Sequence, residues 1–153
     1  MSSWLNEMRI EKRILVVDDD DAIRMLVTTV LRRRGLVVNS ARNGAEAMEH
    51  LRQCGYSLVV LDLMMPRMSG YDVLERLAAM PVATRPAVLV LTAGIAARSF
   101  DSSLVLGTIH KPFDIELLVD TVSATIAALP GQQQPEDCPP TGDSLPISKH
   151  DEN

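Results

Sequence analysis

Asp18 and Asp19, Asp62, Thr92 and Lys111 each close or follow a short apolar run: RILVV, SLVVL, AVLVLT and LVLGTIH. If these runs are parallel strands of one open sheet, the residues at their carboxyl ends meet in a single cleft, because ligands of such sheets bind outside those ends. Three carboxylates, a hydroxyl and an ammonium would then share a small volume. Close carboxylates repel and raise one another's pKa, so the cluster is stable chiefly when a divalent cation neutralises it. Mg²⁺, or Mn²⁺ in its place, is a hard ion that prefers oxygen ligands and keeps several waters, which suits an open acidic site. A metal held there also takes a phosphoryl oxygen and screens the charge that an attacking Asp would meet. A Lys ammonium and a Thr hydroxyl can hold the other phosphoryl oxygens. The chemistry these residue types share is formation of an aspartyl phosphate.

The elements that must position them are legible as alternating strand and helix patterns, the mark of βαβ units around a parallel sheet. Five strands are predicted over Arg13–Asp18, Leu36–Ser40, Ser57–Leu61, Ala87–Thr92 and Leu104–Ile109. The near-continuous β-branched and Leu runs among them fit strands covered on both faces. A first helix follows Asp20 and Asp21, with Ile23, Leu26, Val27, Val30 and Leu31 on one stripe and Gly35 as the stop. Asn43 and Gly44 introduce a second helix, Gly70 opens a third that Pro81 ends, and a last helix runs from Asp114 to Leu129. Between Ala93 and Ser103 the pattern supports only a short or frayed helix. Asp20 and Asp21 read as helix-start acids rather than ligands, since acids there cap orphan amides and suit the dipole.

Composition bounds the rest. The 153 residues fit one folded unit, with residues 1–12 a short leader, 13–129 the folded domain and 130–153 a disordered, acidic, Pro- and Gln-rich tail. One lysine against five acids puts −4 of the net −5 in that tail, leaving residues 1–129 at −1. A nearly neutral body argues against nonspecific nucleic-acid binding, and Arg32, Arg33 and Arg34 read as the solvated last turn of a helix. No apolar run is long enough to span a bilayer and the amino terminus lacks a signal-peptide core, so a cytoplasmic chain without membrane insertion is expected. Cys54 and Cys138 lie far apart, the second in the polar tail, and are expected to be free thiols.

The segments ILVVDDDDAIRMLV, VVLDLMMPRMSG, VLVLTA and HKPF together resemble, in order and spacing, the response-regulator receiver domain of two-component signalling, over about residues 13–129. The resemblance implies a flavodoxin-like, doubly wound five-stranded parallel sheet of order 2-1-3-4-5. It implies that Asp62 is the phosphoacceptor, that Asp18 and Asp19 hold Mg²⁺ with Asp62 and the Met64 backbone carbonyl, that Thr92 is the switch hydroxyl and that Lys111 pairs with the phosphoryl group. A cis peptide at Lys111–Pro112 is implied too. The implied role is that of a stand-alone signalling phosphoacceptor rather than an enzyme. It would be charged by a histidine kinase or histidine phosphotransfer protein and act on another protein by surface contact.

Two positions depart from the family pattern. Thr108 stands where an aromatic switch residue is usual, and the interval from Thr92 to Lys111 is short. Met64 and Gly94, at positions that tune hydrolysis of the acyl phosphate, cannot orient a water by hydrogen bonding, which implies slow self-dephosphorylation. Two other readings stay open at this point. One is an interaction module that signals without phosphorylation, supported by Thr108 and the irregular stretch before it. The other is a haloacid-dehalogenase-like phosphohydrolase with Asp18 as nucleophile, which Asp18 and Asp20 fit but Ala22 breaks.

Overall fold

The structure, a computed structural model, describes residues 9–94 and 103–138. In chain order its elements are β1 (Ile10–Glu11), β2 (Arg13–Val17), α1 (Asp21–Arg33), β3 (Val37–Ala41), α2 (Gly44–Gln53), β4 (Leu58–Asp62), α3 (Gly70–Ala78), β5 (Ala87–Thr92), β6 (Val105–His110), α4 (Ile115–Ala128) and β7 (Gln132–Gln133). The main sheet has the order β3-β2-β4-β5-β6 with every pair parallel, the doubly wound arrangement that the resemblance implies. The short or frayed helix expected between Ala93 and Ser103 falls largely on residues 95–102, outside those described.

Every residue of β2 and β4 is buried, as strands with helices on both faces must be. The period-2 alternation sorts their side chains. Leu15, Val17, Val59 and Leu61 pack with Ala47 of α2 and with Val73 and Leu77 of α3. Ile14, Val16, Leu58 and Val60 pack on the other face with Val27 and Leu31 of α1 and Leu118 and Val122 of α4. Each Val, Leu or Ile among them, fully buried, stabilises the fold by roughly 1.5–3 kcal/mol relative to exposure.

Helix ends follow the expected chemistry. Asp20 caps α1 by accepting from the Ile23 N–H at 3.1 Å, and Gly35, at φ +80°, supplies the left-handed residue that ends it. Asn43 caps α2 and Asp114 caps α4. At α3 the cap is Ser69, in a reciprocal capping box with Asp72, one residue before the Gly70 that the sequence marks as its start. Arg32, Arg33 and Arg34 are all exposed, as expected of a solvated last turn; Arg32 also donates to the Val38 carbonyl at 2.8 Å and Arg34 pairs with Asp120 at 2.9 Å.

Two expectations about the chain's periphery are corrected. Composition predicts disorder from Pro130 onward, yet residues 130–138 are docked on the body, with β7 pairing antiparallel to β1. Cys138 is joined to Cys54 by a disulfide with a Cα–Cα distance of 5.2 Å, so neither cysteine is a free thiol. The physical reason is that the docking is polar. Gln134 is buried and its side-chain amide accepts from the Gly55 N–H at 2.9 Å and donates to the Gly55 carbonyl at 2.8 Å, as a neighbouring strand would. Ser57 Oγ donates to the Pro130 carbonyl at 2.8 Å. Apolar content, the usual guide to order, does not register such contacts. A covalent tie across 84 residues removes chain entropy from the unfolded state worth on the order of 4–5 kcal/mol.

Gly70 links this packing to the strand ends. A Cβ there would fall 2.4 Å from the Asp62 carbonyl oxygen and 2.6 Å from Leu63 Cα, both backbone atoms. Gly70→Ala is therefore expected to lower stability by about 1–3 kcal/mol through forced backbone displacement. Urea unfolding would show it, and an unchanged midpoint would refute the close approach.

Candidate functional site

Asp18 follows β2, Asp62 closes β4, Thr92 closes β5 and Lys111 follows β6, so the strand order alone delivers them to one edge of the sheet. Asp18 and Asp62 are buried and Asp19 is exposed, yet one carboxylate oxygen of each lies within 4.8 Å of the others. Lys111 Nζ reaches into the group, 2.9 Å from Asp18 Oδ2 and 3.5 Å from Asp62 Oδ2. The Lys111 N–H donates to the Thr92 carbonyl at 2.7 Å, and the Lys111–Pro112 peptide is cis, as anticipated. The Met64 N–H donates to Asp62 Oδ1 at 3.0 Å, fixing the carboxylate to the loop that follows it. Thr92 is buried at the end of β5, with its hydroxyl donating to the Gly94 carbonyl at 3.2 Å. The structure thus gathers Asp18, Asp19, Asp62 and Lys111 tightly and engages the Thr92 hydroxyl locally.

Asp18 is held by groups that sequence reasoning missed. Its Oδ1 accepts from the Asp20 N–H at 2.9 Å, and its carbonyl accepts from Arg24 Nη1 at 2.9 Å while Arg24 Nη2 pairs with Asp21. A signal for Arg24 was present. A cation near a helix amino terminus opposes the macrodipole, so an Arg in that position needs a local anion or carbonyl to offset the mismatch.

The electrostatics are unbalanced. Burial pushes the Asp62 carboxyl up from its ordinary 3.8 to about 6; the Met64 N–H opposes this, Asp18's charge adds to it, Lys111 opposes it and Asp19 adds again. For Lys111, burial pulls the ammonium down, but the hydrogen bond and charge of Asp18 with the charge of Asp62 outweigh it and the net shift is upward. One ammonium does not neutralise three carboxylates. The donor set, hard oxygens around a cleft of surplus negative charge, fits a divalent cation held by Asp18, Asp19 and Asp62.

A family model described as the response regulator receiver domain matches residues 14–123. The chain belongs to the response regulator receiver family. Among curated relatives of this receiver domain is sporulation initiation phosphotransferase F of Bacillus subtilis, 32% identical over 114 residues that cover 72% of this chain and 90% of that protein. The uncharacterised transcriptional regulatory protein YkoG of the same organism is 34% identical over 116 residues, 74% of this chain but 50% of the relative. The chain likewise spans 50% of the Haemophilus influenzae CpxR homolog and 12% of the Brucella abortus sensor kinase CckA. Among solved structures, a CheY-like receiver domain protein from Methanospirillum hungatei aligns with a TM-score of 0.68 at 31% identity, covering 76% of this chain and 94% of that one. The Thermotoga maritima response regulator TrrA, crystallised in complex with Mg(2+)-BeF, aligns at 0.65 and 32% identity, covering 74% and 98%.

Receiver domains are signalling modules that interact with histidine kinases or phosphotransfer proteins and generally bind Mg²⁺ at an acidic pocket, and this receiver carries an acidic cluster of that kind. No helix among its described residues is long and apolar enough to cross a membrane.

The raised Asp62 pKa sets a stability test. The folded state holds this proton more tightly than the unfolded chain, so the contribution is favourable at low pH and is lost as pH rises from about 3.8 through about 6. In buffer with chelator at neutral pH, Asp62→Asn is expected to be more stable than wild type by on the order of 1–3 kcal/mol, the advantage shrinking toward pH 4. Denaturant titrations across this range would check it; a variant less stable than wild type at neutral pH would contradict the electrostatic account.

Proposed function

We propose that Asp62 accepts a phosphoryl group from a histidine kinase or histidine phosphotransfer protein, and that the phosphorylated chain signals by protein contact in the cytoplasm. The observation that carries this reading is the convergence of Asp18, Asp19 and Asp62 within 4.8 Å around a lysine that touches both buried carboxylates. Asp18, Asp19, Asp62 and the Met64 carbonyl would hold Mg²⁺, which supplies charge neutralisation and a ligand position for a phosphoryl oxygen. The likeness to a response regulator crystallised with Mg(2+)-BeF supports that assignment.

In the transfer step an Asp62 carboxylate oxygen attacks phosphorus. The P–N bond to the donor imidazole breaks, and the leaving nitrogen takes up a proton. Asp62 is preset for this by the Met64 N–H, which occupies Oδ1. Lys111 sits where new phosphoryl charge would build, and the acyl phosphate removes one carboxylate from its pairing and gives it the phosphoryl oxygens instead. Thr92 closes the strand beside Asp62; release of its hydroxyl from the Gly94 carbonyl toward the phosphoryl group would be the conformational signal. Thr108 lies exposed on the edge strand β6, so the signal would travel without an aromatic ring at that position.

Incubation with Mg²⁺ and acetyl phosphate or phosphoramidate, read by intact mass, is expected to give one phosphoryl adduct on wild type and none on Asp62→Asn. Lys111→Ala and Asp18→Asn should each slow labelling by about tenfold or more. No adduct on wild type, under conditions that label a control receiver, would favour a phosphorylation-independent module. Loss of labelling with Asp18→Asn but not with Asp62→Asn would favour the hydrolase reading instead.

Hydrolysis of the adduct should be slow. Met64 is exposed and Gly94 has no side chain, so neither position offers a group that aligns water on phosphorus. Loss of the phosphoryl group from purified protein is expected over many minutes to hours, and Met64→Asn or Met64→Glu should accelerate it. A wild-type half-life of seconds would overturn this.

A further inference from the structure

At the pole of the sheet opposite Asp62, the 130–138 segment crosses the corner where α2 runs into β4, and only Gln134 and Cys138 of its residues are buried. Apart from the disulfide, polar contacts hold it: the short β1–β7 pairing, the Gln134 amide on Gly55, Ser57 on Pro130, and Arg9 Nη2 donating to the Cys138 carbonyl at 2.7 Å. Pro130 and Gln132 also form one wall of a surface cleft whose other walls include Ser57, Arg85, Ala87 and Leu104. A segment with so little apolar burial depends on its covalent tie to stay in place.

We propose that Cys54–Cys138 is a redox modification site, a latch whose reduction frees residues 130–138 from this corner. The proposal rests on the cytoplasmic reading above, because disulfides in a compartment kept reducing are usually transient or redox-sensing rather than permanent. The reductant is a dithiol. One of its thiolates attacks a sulfur of the pair and expels the other as a thiolate; its second thiol then closes the reductant's own disulfide and releases the first cysteine. Two electrons and two protons pass from the dithiol, leaving thiols at Cys54 and Cys138. Both cysteines are buried, so attack follows local opening of the segment, whose exposed Pro135–Asp137 turn lies immediately before Cys138. Release undoes the Arg9–Cys138 contact and leaves Arg9 with Glu11, which also pairs with Arg13 at the start of β2. The latch therefore bears on the amino ends of β2 and β4, the two strands that lead to Asp18 and Asp62.

The test uses the full chain poised in oxidised or reduced glutathione or dithiothreitol, with thiols counted by alkylation and mass, and amide exchange followed by residue. Oxidised protein should take up no alkylating label and reduced protein two. Exchange at the Gly55 and Gln134 amides should rise at least about tenfold on reduction while central β2 and β4 stay protected. Cys54→Ser and Cys138→Ser should match the reduced form under oxidising conditions; if either fails to fold, reduction of wild type still decides the matter. Two labelled cysteines after treatment with oxidised glutathione would overturn the proposal, as would unchanged exchange at Gly55 and Gln134 on reduction. Labelling of Asp62 with acetyl phosphate in both states separates the two ideas: its absence in both defeats the phosphoacceptor reading and leaves the thiol and exchange results standing.

Discussion

Asp18 and Asp62 are buried at the ends of adjacent strands and share the ammonium of Lys111, with Asp19 close by. Much of the local structure serves to hold this surplus of negative charge together. The β2–β4 pairing fixes the separation of the two acids, and the Lys111 N–H bond to the Thr92 carbonyl ties the lysine to β5. Amides of Asp20 and Met64 each satisfy one carboxylate oxygen from its own loop. Desolvation and mutual repulsion make the arrangement unfavourable by itself. Such burial favours neutralisation of the acids, as the upward shift of the Asp62 carboxyl records.

That unfavourable placement is also why so much of the site was legible in sequence. An Asp that ends a continuous Val and Leu run contradicts the burial of the strand before it, and such contradictions cluster at functional places. The strands themselves announced their spans through β-branched runs, with every boundary falling within one residue of the observed element. Thr92 and Lys111 were recoverable only in company, because a strand Thr and a solvated Lys are individually unremarkable.

The residues that stayed hidden did so for a common reason: their interactions are polar, irregular and long in sequence separation. Two-residue strands such as β1 and β7 carry no periodicity, and Gln134 imitates a backbone partner with its side chain. Cysteine spacing does not fix a pairing unless the path of the chain between is known, and Cys54 and Cys138 are 84 positions apart. Ser69 is different. Its S-x-x-D pattern with Asp72 was visible and Gly70 does open α3, but the second role of Gly70, letting α3 approach the Asp62 carbonyl, leaves no mark in the pattern.

The two ends of the sheet solve opposite problems. At the amino pole Arg13 is completely buried, but its Nε meets Glu11 at 2.9 Å and its Nη1 donates to Asn39, which also accepts from the Tyr56 hydroxyl at 2.9 Å. Charge there is paired and hydrogen-bonded, the condition under which buried ions persist without a ligand. At the carboxyl pole three acids face one ammonium and the balance is left open. The same parallel strands join both, since β2 begins with Arg13 and leads to Asp18, while β4 begins beside Ser57 and ends with Asp62. The paired, hydrogen-bonded groups at the start of β2 and the full burial of β2 and β4 offset the repulsion among the acids at the other end.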